Sequence, residues 1–102
     1  MPKDLFVSSL LDVYGYFLNE KQRRVLEYYY NDDLSLSEIA ENEGITRQGV
    51  ADLIKRSEAQ LRQLEKDCGY CEKFIKLKSL SECFKQTENK ELCEIIDIID
   101  SL

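Results

Sequence analysis

The residues of this chain best suited to chemistry with a partner are Arg47, Gln48, Gly49, Asp52, Lys55 and Arg56. Arginine pairs bidentately with guanine and glutamine with adenine, so Arg47 and Gln48 are equipped to read bases. Lys55 and Arg56 carry the charge to hold phosphates. Asp52 runs against this set because a carboxylate repels phosphate, although it can accept from cytosine. A second basic set, Lys21, Arg23 and Arg24, lies upstream, with Arg23 and Arg24 placed as candidate backbone-phosphate contacts. Chemistry of the catalytic kind finds no residues here. The chain has no histidine for acid–base work, no glycine-rich phosphate loop and no G-x-S-x-G. It does not read as an enzyme.

Two further clusters invite a metal or redox reading, and both fall short. Cys68-Gly69-Tyr70-Cys71 is a lone C-x-x-C. Zinc needs two more ligands, and Cys83 and Cys93 fall in separate helical segments. A redox pair needs a strand-to-helix setting that the surrounding residues do not offer. The four cysteines therefore read as free, reduced thiols. Asn31-Asp32-Asp33 places two acids together, yet the residues after them supply no further oxygen ligands at calcium spacing. No metal or cofactor is implied.

The elements that must position Arg47 to Arg56 are written in capping signals and helical periodicity. Ser35 with Glu38 is a capping box, so a short helix opens near Leu36, with Ile39 and Ala40 on its apolar face. Gly44 supplies the left-handed residue that stops it. Ile45 plugs the turn and Thr46 is the N-cap of the next helix. In that helix Val50, Ile54, Leu61 and Leu64 recur at helical spacing, and no breaker occurs before Gly69, so it runs to about Lys66. Helix, glycine turn and capped helix make a helix-turn-helix at about residues 35–66, whose second helix lies in a DNA major groove when the motif binds DNA.

Elsewhere the chain also reads as helix. Residues 5–18 form a first helix capped by Asp4, with Leu5, Phe6, Leu10, Val13, Tyr14 and Phe17 as a wide apolar band. Asn19 with Gln22 is a second capping box, opening a helix over residues 20–30 with Val25, Leu26, Tyr29 and Tyr28 turned inward. The run Tyr28-Tyr29-Tyr30 reads as core in preference to a base-stacking platform. Residues 71–84 form a helix with Phe74, Ile75, Leu77, Leu80 and Phe84 inward and Lys73, Lys76, Lys78 and Lys85 outward. Asn89 caps a last helix over residues 90–102, striped by Leu92, Ile95, Ile96 and Ile99, with Cys93 and Ile98 widening the stripe. The fold class is all-α: a bundle of five or six helices in one domain over residues 1–102, with a helical extension at 70–102.

Composition sets the bounds. The chain has 102 residues and a net charge of −6, with 43% hydrophobic and 33% charged residues, ordinary for a soluble domain. One proline and four glycines leave few breaks. No apolar run approaches the ~20 residues of a membrane span. The apolar stretch 5–11 lacks the basic flank and cleavage site of a signal peptide, so the cytoplasm is the expected location. The charge is uneven: residues 31–45 carry five acids and no base, and residues 46–66 carry five bases and three acids. The second helix of the motif is a weakly positive patch on an acidic protein. Such a patch binds nucleic acid weakly and with steep salt dependence unless two copies act together, and the acidic balance suits a basic partner protein equally well.

Two resemblances follow from these motifs. The segments NEKQRRVLEYYY and LSLSEIAENEGITRQGVADLIKR resemble region four of bacterial sigma factors. More closely, the chain resembles the YlxM family of helix-turn-helix proteins from Gram-positive bacteria. Tyr28-Tyr29-Tyr30, Asp32-Asp33, Ser35-Leu36, Glu38-Ile39-Ala40, Thr46-Arg47-Gln48-Gly49-Val50, Asp52 and Ile54-Lys55-Arg56 carry the match, which is specific over residues 19–64. Gly49 departs from the pattern, where alanine is expected. Genes of that family sit beside those of the signal recognition particle, so the resemblance implies a regulatory protein of that pathway that binds its RNA or its GTPase component. The alternative is a DNA-binding transcriptional regulator using the 46–66 helix. Asp52, Gly49 and the acidic balance weigh toward the first, the motif itself toward the second. Either way a homodimer is expected, since paired copies add contacts. Its interface falls to the apolar surplus of residues 5–18 or to Ile98 and Leu102.

Overall fold

In the computed structural model, which describes residues 3–102, six α-helices follow one another and no strand occurs among those residues. They are α1 (Leu5–Tyr14), α2 (Glu20–Tyr30), α3 (Leu36–Glu43), α4 (Arg47–Cys68), α5 (Tyr70–Cys83) and α6 (Lys90–Asp100), with a 3-10 turn over Gly15–Phe17. The chain divides into two compact units, Met1–Cys68 and Gly69–Leu102.

The first unit is built around α4. Along its 22 residues, Val50, Ile54, Ser57 and Leu61 are wholly buried at steps of four, three and four, one stripe on one side of the helix. α1, α2 and α3 all pack on α4. They contribute Val7, Leu10, Leu11 and Tyr14 from α1, Val25, Leu26 and Tyr29 from α2, and Ile39 and Ala40 from α3. Full burial of each large aliphatic residue is worth about 1.5–3 kcal/mol, so this shared stripe is the main store of stability. The Ser57 hydroxyl sits in it with no hydrogen-bond partner.

Polar ties run along the outside of the same seam. The Tyr14 hydroxyl donates to Glu65 Oε1 at 2.6 Å. The Tyr30 hydroxyl donates to Glu58. Burial, with the Glu58 carboxylate beside it, pushes the Tyr30 phenol well above its ordinary range. Gln60 Nε2 donates to the Phe17 carbonyl at 3.4 Å, and Arg62 pairs with Asp4 at 3.0 Å. These contacts hold the second half of α4 against α1 and α2, so that half serves packing.

Local capping follows the sequence closely. Asp4 accepts from the Phe6 N–H at 3.0 Å, and Asn19 with Gln22 closes a full capping box at 2.8 and 3.0 Å. The first helix differs from expectation. It stops at Tyr14, and Gly15–Phe17 tightens into a 3-10 turn that buries Leu18. Glycine weakens the helix interior and three-residue turns suit short connectors. Of the expected band, Leu10 and Tyr14 are buried but Leu5, Phe6 and Phe17 are exposed, while Val7 and Leu11, outside that band, are buried. Helical period alone does not locate the centre of a band so wide. Ahead of α1, Lys3 Nζ lies 2.5 Å from Asp33 Oδ1 and 4.5 Å from the centre of the Tyr29 ring. Asp33 takes a left-handed φ of 54°, which aspartate tolerates better than most residues.

The second unit is the helix pair α5 and α6. Ser81 Oγ donates to Asp100 Oδ1 at 3.1 Å, Lys78 Nζ donates to the Leu102 carbonyl at 3.2 Å, and Lys85 pairs with Glu82 at 2.6 Å. Asn89 caps α6 by accepting from the Leu92 N–H at 3.1 Å. The expected inward set on α5 is corrected here: Phe74 is half-buried, whereas Ile75, Leu77, Leu80 and Phe84 are exposed, and the buried positions are Cys71 and Ser81. On α6, Ile96 is buried, Leu92 and Ile99 are half-buried and Ile95 is exposed. The apolar residues of α5 are spread around the helix, so no one neighbour covers them all.

The Asp4 carboxylate both caps α1 and pairs with Arg62. The Phe6 N–H, and then Arg62, hold its carboxyl below the ordinary carboxylate range. A depressed acid stabilises the fold at pH above its unfolded value of ~3.9, and that contribution fades as pH falls through the lower folded value. Asp33, depressed by Lys3, acts in the same direction. Asp4→Asn keeps a capping acceptor and loses the titration. Thermal melts by circular dichroism should show a flatter loss of stability below about pH 4 for this variant than for the native chain.

Candidate nucleic-acid interface

α3, the turn and the start of α4 are closed by short hydrogen-bonded rings. Ser35 Oγ accepts from the Glu38 N–H at 3.1 Å, and Glu38 Oε1 accepts from the Ser35 N–H at 3.1 Å. Gly44 ends α3 in the left-handed region at φ 66°, and the Ile45 N–H donates to the Ala40 carbonyl at 3.1 Å. This is the six-to-one bond of a helix stop that reverses the chain within two residues. Ile45 is half-buried in the turn, as its apolar character predicts. Thr46 Oγ1 then accepts from the Gly49 N–H at 2.9 Å and opens α4.

The buried pair Val50 and Ile54 fixes which side of α4 faces outward. Arg47, Gln48, Asp52, Lys55 and Arg56 are all exposed. Arg47, Lys55 and Arg56 form no ion pair among the described residues. Gln48 is engaged: its Nε2 donates to Asp52 Oδ1 at 3.0 Å, one helical turn on. Pairing with adenine draws on that same NH₂ group, so the Asp52 carboxylate competes with a base for it. Asp52 thus places a negative charge in the middle of the basic face and occupies its one base-reading amide.

The upstream arginines are placed differently. Arg24 forks onto Glu43 with Nε–Oε1, Nε–Oε2 and Nη2–Oε1 distances of 3.0, 3.2 and 2.6 Å. The Glu43 carboxylate lifts the Arg24 guanidinium above its ordinary value. This clamp joins α2 to the last residue of α3, where Glu43 is nearly buried, so Arg24 fixes the helix-turn-helix in place with its charge already balanced. Arg23 lies 5.6 Å from the centre of the exposed Tyr16 ring. Neither joins the α4 set in one cluster of unpaired cations. Sequence reasoning missed both partners: Glu43 is 19 residues from Arg24, and no periodic signal spans that gap. The Gln48–Asp52 bond, in contrast, sits at the i,i+4 spacing and had a readable signal.

The C-x-x-C cysteines differ in surroundings, Cys68 being exposed and Cys71 buried, and the two are not joined in a disulfide. Among the described residues, no group of three or more His, Cys, Asp or Glu side chains is arranged to hold a metal ion. No helix of the described residues is long and apolar enough to cross a membrane.

Comparison with known proteins places these features in a family. Residues 1–100 match the UPF0122 family, described as "Putative helix-turn-helix protein, YlxM / p13 like". A UPF0122 protein of Clostridium kluyveri is 46% identical over 102 residues, covering 100% of this chain and 82% of the relative. A UPF0122 protein of Halalkalibacterium halodurans is 40% identical over 107 residues, covering 100% of this chain and 98% of the relative. One of Bacillus cereus is 36% identical over 108 residues, with 100% and 98% covered.

Gly49 sits in the first turn of α4, against the Thr46 cap. A Cβ built there meets Thr46 Oγ1 at 3.1 Å, close enough that the cap hydroxyl has to yield slightly. Glycine costs about 1 kcal/mol relative to alanine in a helix interior. The threonine side chain can rotate a little and keep its bond to the residue-49 N–H, so the propensity gain wins. Gly49→Ala should stabilise the protein by less than about 1 kcal/mol, read as a higher urea midpoint with an unchanged slope.

Proposed function

We propose that this chain, which belongs to the UPF0122 family of YlxM / p13-like helix-turn-helix proteins, is a non-enzymatic cytoplasmic regulator that lays the first half of α4 in the major groove of duplex DNA. Arg47 and Gln48 read base edges, and Lys55 and Arg56 hold phosphates. The observation that carries this reading is the exposure of Arg47, Lys55 and Arg56 without ion-pair partners, on the outer side of a helix whose start is fixed by the Thr46 cap. The arrangement suits B-form DNA better than an RNA duplex, whose deep and narrow major groove does not admit a helix. A homodimer belongs to the same reading. Three unpaired cations on an acidic chain are few for useful affinity, and a second copy doubles them. The likeness to sigma region four supports this use of the motif.

A second reading places the protein in the signal recognition particle pathway, bound to its RNA or GTPase component, as the family resemblance implies. The Gln48–Asp52 bond and the net charge of −6 favour its GTPase form, since both weaken contact with phosphate and suit a basic protein surface.

Binding titrated against salt, with duplex DNA, signal recognition particle RNA and the GTPase in parallel, separates the readings. The DNA reading predicts that log K falls with log salt at a slope of about −2 per copy, since Lys55 and Arg56 each neutralise one phosphate and each contributes ~0.9. Lys55→Ala should flatten the slope by about 1, and Arg47→Ala should cost about 1–3 kcal/mol on the preferred site and little on other sequences. Binding of the GTPase alone, unaffected by Arg47→Ala, would favour the second reading.

A further inference from the structure

The second unit carries more exposed apolar surface than a helix pair can use. Leu77, Leu80, Phe84, Ile95, Ile98 and Leu102 are all exposed there, and only Cys71, Ser81 and Ile96 are buried. Units below roughly 40 residues seldom hold a core of their own without disulfides, metals or a partner chain. No disulfide staples this unit.

The exposed surface has a pattern. On α5, Lys73, Lys76, Leu77 and Leu80 stand at i, i+3, i+4 and i+7 and line one open groove. On α6, Glu91, Glu94, Ile95 and Ile98 repeat the same spacing. Residues at this spacing share one helix face. Each quartet has two charges followed by two large aliphatic residues, the charges of α5 are positive and those of α6 negative, and all eight side chains are exposed. Lys73, Lys76, Glu91 and Glu94 form no ion pair among the described residues, whereas Lys85 is drawn to Glu82 and Asp100 within the unit.

We propose that these two quartets are the halves of a self-complementary interface, and that its occupant is a second copy of this chain. Laid side by side in parallel, Lys73 and Lys76 meet the partner copy's acidic pair, while Leu77 and Leu80 meet its isoleucine pair. Two-fold symmetry makes the contact twice, producing a four-helix arrangement from two helix pairs. Two helix faces from each copy supply about the 800 Å² per partner that a specific interface needs. The apolar pairs give the affinity, and the charged pairs set the register and disfavour α5 against α5 or α6 against α6. This deepens the dimer element of the function proposed above. It stands on the second unit alone, so it is tested without nucleic acid.

The experiment uses the full chain and its mass in solution. Sedimentation at tens of micromolar should show a dimer. Lys73→Glu with Lys76→Glu should raise the dissociation constant at least 10-fold, and Glu91→Lys with Glu94→Lys should do the same, each with unchanged helical content by circular dichroism. Mixing the two variants should restore assembly as a heterodimer, because each then offers the charge that the other lacks. Leu80→Glu should yield a folded monomer that mixing does not rescue. A native chain that sediments as a monomer, charge variants that dimerise like the native chain, or a mixture that stays monomeric would each overturn the proposal. If the dimer proves real while DNA binding fails, the interface stands and the DNA reading falls; a monomer that still binds DNA gives the reverse.

Discussion

The first unit depends on one constraint: a single side of α4 has to satisfy three other helices at once. Val50, Ile54, Ser57 and Leu61 are fully buried along it, and α1, α2 and α3 all rest on that stripe. Because one continuous helix bears the stripe, its rotation is set by packing far from the turn. That rotation decides which residues of its first half face outward. Truncating Leu61 would cost about 2–5 kcal/mol by leaving a cavity, and would also loosen the orientation of Arg56 and Arg47, about one and a half and four turns away. Stability and presentation of the candidate interface are therefore the same physical problem in this protein.

Charge is distributed to match that division of labour. Arg24 is bound by the nearly buried Glu43, Arg62 by Asp4 and Lys3 by Asp33, so these three cations are consumed in holding the fold. Exposed pairs of this kind add little stability individually. Their effect on the interface is subtractive, leaving Arg47, Lys55 and Arg56 as its unbalanced charges. Asp52 then trims the field further by engaging Gln48.

Most of the helix-turn-helix was legible in the sequence because its signals close within a few residues. The Ser35–Glu38 and Asn19–Gln22 boxes, the Gly44 stop and the Thr46 cap each involve neighbours in the chain, and each takes its expected geometry. The outward placement of Arg47, Gln48, Lys55 and Arg56 was legible too, because Val50 and Ile54 leave only that side free. The rest required distances that a sequence does not contain. The Arg24–Glu43 clamp and the Tyr30–Glu58 bond join separate helices. The wide bands of the first and fifth helices offered several apolar faces at once. Period alone had no means to choose Val7 and Leu11 over Leu5 and Phe6, or to see that Leu77 and Leu80 stay uncovered.

The central claim is that the first half of α4 is the surface that meets nucleic acid. Amide and side-chain NMR shifts of the full chain, followed while duplex DNA is added at low salt, test it most directly. The account predicts perturbations concentrated on Arg47, Gln48, Lys55 and Arg56, with the Gln48 side-chain NH₂ moving as it leaves Asp52. Saturable binding with these residues unmoved, and the shifts gathered instead on other elements, would contradict it.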